Sequence, residues 1–243
     1  MIRADLRHSL TRRDAQLALH LVARESTRDR DAAEEALRHE GIDTLLDDAR
    51  LLVALTSDSR AAEASMPMFV YVVVRHALRD LGERDRHVAD YVASVVVHFA
   101  DHARAWRIAE HDDATYDTLA ALLGDADGGD ANRTFLVRQH LANHALWLSG
   151  LFPDHVTLRR QRRGAPDLDY FDEMGRRGFL LAAEHRIADQ TGLRPVFARA
   201  AGEFPLLRMA LNRVSDRLLF PGHHSAERLL RQVADEARWR HAS

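Results

Sequence analysis

The chain has 243 residues, 46% of them hydrophobic and 29% charged, with a formal net charge of -3. That length carries one large domain or two small ones with a sizeable core, the mixture excludes global disorder, and the slight acidity leaves no overall basic field for nucleic acid or an anionic membrane. Cysteine is absent and all 34 basic residues are arginine, which excludes disulfides, thiolate nucleophiles, cysteine-held zinc and iron–sulfur clusters, and likewise P-loop lysines and lysine Schiff bases.

The first residues, MIRADLRHSLTRRDAQ, hold no apolar run of the kind a secretory leader needs. The longest apolar run, MPMFVYVVV, ends at Arg75 and is far shorter than a bilayer span. A cytoplasmic protein with no membrane contact is the expectation.

Taken in order, the hydrophobic residues recur with the helical period throughout, without convincing strict alternation. Thr11 with Asp14 is a capping-box signature for a helix to about Arg24. A charged helix over 30–39 stops at Gly41. Thr44 with Asp47 repeats the box and opens LLDDARLLVAL. Pro67 suits the first turn of a helix that runs to Leu81 and closes at Gly82. Its FVYVVV core has strand-like composition, but the segment length and the closing glycine favour a buried helix.

The longest helix is predicted over 85–110, with Val88, Tyr91, Val92, Val95, Phe99, His102 and Trp106 on one stripe. Asp113 can cap a short helix ending at Gly124, and GDADGGD follows as a loop. Asp130 opens an apolar helix that ends at Phe152-Pro153. TLRRQRRGAPD reads as a basic helix end and a turn. Further helices are predicted over 168–190, 195–220 with a break or kink at Pro205, and 225–240. The sum is an all-α protein of about ten helices with no sheet, a single compact multi-helix domain over 1–243. The loop at 124–130 is the candidate for a weak division.

Two histidine pairs with i,i+4 spacing stand out, His98 with His102 and His140 with His144. On two adjacent helices they would present imidazoles on facing sides, a donor set for a divalent transition metal or haem, with Asp101, Glu110 and His111 in support. Random placement of 15 histidines already yields roughly one such pair. Neither HFADH nor HLANH carries the glutamate of the zincin motif, and no Glu-x-x-His pair supports a di-iron bundle. The plainer alternative is that these histidines are scaffold.

EHDD at 110–113 contains the His-Asp dipeptide of metal-dependent phosphohydrolases, with His76, His87, His140 and His144 as distant partners, although Asp113 is explained equally by helix capping. Arg159, Arg160, Arg162 and Arg163 form the densest positive patch and are candidate anion ligands. A solvated helix end, where arginine suits the dipole, accounts for them too. Gly175 and Gly178 on a predicted helix point to close helix packing rather than a phosphate loop. No serine sits in a G-x-S-x-G nucleophile elbow.

These features favour a non-catalytic helical binding protein acting as a homo-oligomer, with a protein partner or a small apolar ligand. The alternative is a metal- or haem-binding helical protein, an oxidoreductase or metal-dependent hydrolase using His98, His102, His140 and His144.

Overall fold

The computed structural model describes residues 1–23, 27–100, 119–124 and 130–242. Every regular element among them is helical, and no strand occurs among the described residues. The predicted all-α class is what the chain adopts. No helix among the described residues is long and apolar enough to cross a membrane. The chain divides into two compact units, Ala4–Val97 and Met1–Arg3 with His98–Ser243. The boundary falls at Val97–His98; residues 125–129 of the glycine-rich loop lie outside the described residues.

The first unit opens with a 3-10 turn, Leu6–Ser9, then α1 (Arg12–Val22), α2 (Thr27–Glu40), α3 (Ile42–Leu46) and α4 (Ala49–Ser57). A second 3-10 turn, Ser59–Glu63, leads to α5 (Met66–Arg79) and α6 (Arg86–Phe99), which runs up to and across the boundary. The Thr11–Asp14 capping box forms as expected, each side chain accepting from the other residue's N–H. The box expected at Thr44 does not form. Gly41, at φ 81°, turns the chain so sharply that α3 restarts at Ile42 and takes Thr44 inside it. Asp48 instead caps α4 by accepting from the Arg50 N–H.

FVYVVV is helical, with Met68, Tyr71, Val72, Val74 and Leu78 buried. α6 ends at Phe99 with Ala100 in a turn, short of the predicted Glu110. Val88, Tyr91, Val92 and Val95 of its stripe are fully buried. His102 and Trp106 lie outside the described residues.

Charged side chains tie this unit together. Asp47 accepts from Arg75 at 2.8 Å and from Arg86 at 2.6 Å. Although burial works against it, those hydrogen bonds hold its carboxyl below the usual range. Asp90, fully buried, accepts the Arg7 backbone N–H at 2.9 Å, and burial pushes its carboxyl up.

The second unit contains α7 (Leu119–Gly124), α8 (Ala131–Leu151), α9 (Pro153–Arg163), α10 (Leu168–Ala183), α11 (Arg186–Gln190), α12 (Arg194–Gly202) and α13 (Phe204–Val214). A π-helical turn, Ser215–Leu219, precedes α14 (Ala226–Ala242). Asp130 caps α8 by accepting from the Arg133 N–H. α8 is buried around its circumference because α7, α9, α10 and α13 all pack on it.

Two glycines of α10 make close approaches possible. A methyl group on Gly178 would sit 2.8 Å from the backbone nitrogen of Ala142 in α8, and one on Gly175 would sit 2.0 Å from the Phe204 ring. The C-terminal carbonyls of α8, which have no partner inside the helix, are met by side chains. Asn212 donates to the carbonyls of Ser149 and Gly150, and the Ser215 hydroxyl donates to that of Leu151.

Two predicted helices are each split. The segment 168–190 breaks at His185, whose ring nitrogen accepts the Ile187 N–H and starts α11. The segment 195–220 breaks at Glu203, so that Pro205 falls in the first turn of α13, where its missing N–H costs nothing.

Candidate functional site

Helices α8, α9 and α10, with α7, surround a cavity of about 200 Å³ in the second unit. Leu119, Leu148, Val156 and Phe171 supply its apolar walls, and the turn at Ala165-Pro166 borders one side. Among the described residues its polar groups are His144, His155, Arg159 and Tyr170.

Local sequence explains how each arrives there. Pro153 starts α9 and Gly164, at φ 60°, stops it in the left-handed conformation that favours glycine. Within that helix His155 and Arg159 are one turn apart and share a face. Val156, 3% exposed, anchors the helix to the body, leaving His155 and Arg159 exposed at the rim. Asp167 accepts from the Tyr170 N–H, which fixes where α10 begins and so where Tyr170 and Phe171 emerge.

His144 comes from the buried middle of α8 and is 3% exposed. Burial depresses its imidazole to about 4, so the ring is neutral at pH 7. It belongs to an aromatic cluster: its ring centre is 5.8 Å from that of His140, 6.5 Å from Phe99 and 6.0 Å from Trp147. His98 stacks obliquely beside Phe99 at 5.4 Å.

The candidate metal ligands are thus placed as follows. His140 and His144 are neighbours, His98 lies beside the ring that touches both, and His102 lies outside the described residues. Among the described residues no group of three or more histidine, aspartate or glutamate side chains is arranged to hold a metal ion. Asp101 and the EHDD stretch at 110–113 also lie outside the described residues. Of the distant partners named for EHDD, His76 donates to the Leu46 carbonyl at 3.1 Å within the first unit.

The arginine run divides by role. Arg160 pairs with Asp167 at 3.0 Å, Arg159 lines the cavity, and Arg162 and Arg163 are exposed at the C-terminal end of α9. His155, Tyr170 and Phe171 were not singled out in the sequence. The one available signal was the spacing of His155 and Arg159 around the buried Val156.

Chemically, the arrangement offers an apolar volume, a neutral imidazole in its wall and a cation at its rim. Compared with known protein families, curated proteins and solved structures, the chain matches none.

Proposed function

We propose that the protein is a non-catalytic helical binding protein, and that its ligand is a small apolar molecule held in the cavity between α7, α8, α9 and α10. The observation that supports this is the cavity itself. At about 200 Å³ it exceeds the roughly 150 Å³ of a dry apolar cavity that accepts benzene. Its walls come from four helices, and ligand sites of helical proteins are built between helices. We place the protein in the cytoplasm, a reducing setting with which a cysteine-free chain is compatible.

The test uses octan-1-ol as a neutral apolar probe. Binding should raise the melting temperature of the intact protein as probe concentration rises. Ala120→Phe, which fills the cavity from an exposed position, should abolish that rise. A melting temperature indifferent to the probe in both proteins refutes the reading.

Self-association has separate support. Leu229, Leu230 and Val233 of α14 are 56%, 71% and 68% exposed, a contiguous apolar stripe of the kind that marks interaction surfaces. Sedimentation of the native chain and of Val233→Glu tests it. A monomer in both cases removes the homo-oligomer reading.

A further inference from the structure

We infer that the ligand of this cavity is a medium-chain amphiphile with a single carboxylate: its hydrocarbon body fills the cavity alongside His144, and its head group pairs with Arg159 at the rim. This rests on the cavity reading above and adds the ligand's chemical class.

The charge pattern carries the inference. Among the described residues that line the cavity, Arg159 is the one permanent charge, and none is a carboxylate. An isolated fixed cation beside an apolar volume selects an anionic group attached to an apolar one.

The neighbouring arginines sharpen the point. Arg160, next in sequence, is occupied by Asp167 at 3.0 Å. Arg162 and Arg163 do not line the cavity. Arg159 alone in that run both borders the cavity and has no salt bridge to a carboxylate among the described residues. Its planar guanidinium can meet a carboxylate with two parallel hydrogen bonds. His155, one turn earlier on the same face, adds a ring nitrogen at the same rim.

The deeper wall sets the other half of the ligand. His144 is 3% exposed and its ring is neutral, so it offers no charge to balance an anion placed against it. A carboxylate forced there would lose its hydration without compensation. Leu148, Val156 and Phe171 flank the same space. The anion therefore belongs at the rim and the hydrocarbon inside. About 200 Å³ accommodates on the order of six to eight carbons, taking about 30 Å³ for each water-sized group.

The experiment compares octanoate with octan-1-ol by titration calorimetry on the full chain at pH 7. Octanoate should bind roughly two- to fivefold more tightly, the scale of an exposed ion pair, and its advantage should shrink as salt rises. Arg159→Gln should bring the two probes to equal affinity. Arg162→Gln, an exposed change away from the cavity, should leave the preference intact.

Equal binding of both probes by the native protein overturns the carboxylate assignment and leaves the cavity reading standing. So does a preference that survives Arg159→Gln, or one that Arg162→Gln removes equally. Failure of both probes to bind removes the cavity reading beneath it.

Discussion

The guanidinium of Arg208 on α13 lies 2.7 Å from the carboxylate of Asp172 on α10, and the arginine is completely buried. Asn212 accepts a further hydrogen bond from the same guanidinium at 2.9 Å, and Asp235 on α14 approaches at 3.5 Å. One buried cation thus joins three helices of the second unit. Removing one partner strands the charge left behind, which typically costs about 3–5 kcal/mol. Asp172→Ala should lower the denaturation free energy by that order. Asp172→Leu with Arg208→Met should recover much of the loss, because a well-packed apolar pair replaces the ion pair and Asp235, which loses Arg208, keeps Arg231 at 3.8 Å. Urea denaturation of the two variants checks this, and a double variant no better than the single one contradicts it.

Glycines on α10 and α12 should respond in opposite directions. Gly175→Ala puts a methyl 2.0 Å from the fully buried Phe204 ring, and overpacking of this kind costs about 1–3 kcal/mol. Gly202 has no heavy atom within 4 Å of the equivalent position and no positive φ. Gly202→Ala should therefore gain up to about 1 kcal/mol from reduced freedom of the unfolded chain. Thermal melts decide it; two shifts of the same sign refute the packing argument.

His144 makes stability depend on pH. Its folded value of about 4 lies below the ordinary 6.5, and burial is the cause. The unfolded chain therefore binds the proton more readily between those values, so stability present above pH 6.5 is lost as pH falls toward 4. Between pH 7 and pH 5 the loss from this ring is about 2 kcal/mol. His144→Leu should flatten that part of the profile. The variant's denaturation midpoint should drop less than the native one over the same interval, and parallel profiles would contradict the assignment.

The pair His140 and His144, with ring centres 5.8 Å apart, keeps the metal or haem alternative open to a direct measurement. On the binding-protein reading, purified protein carries no stoichiometric metal and no haem absorption band, and added zinc or nickel leaves the melting temperature unchanged. Stoichiometric metal that is released by His144→Ala would instead establish the alternative.

Helix positions and caps were legible in the sequence where a local rule operates without competition. Thr11 with Asp14, Pro67 and Asp130 each act through backbone groups within a few residues, and each does in the structure what its type dictates. Breaks depended on more than local signals. Thr44 had the right spacing for a cap, but the left-handed turn at Gly41 placed it inside α3. His185 interrupts what periodicity alone reads as one helix, because its side chain can serve the backbone of the next. The close packing of α10 was written in Gly175 and Gly178, whereas their partners, Phe204 on α13 and Ala142 on α8, were not.

The candidate site shows the same division. The period of hydrophobic residues determined that the chain is helical, since a buried face recurs every three to four positions only on a helix. Sequence also determined which chemistries are excluded, because a side chain that is absent cannot act. Only the tertiary structure brought His144 from α8 and Arg159 from α9 to the walls of one cavity. It also separated Arg159 from Arg160 by pairing the latter with Asp167. Periodicity specifies which face of a helix is buried; which face of which other helix covers it depends on packing between residues far apart in the chain, and no local pattern records that.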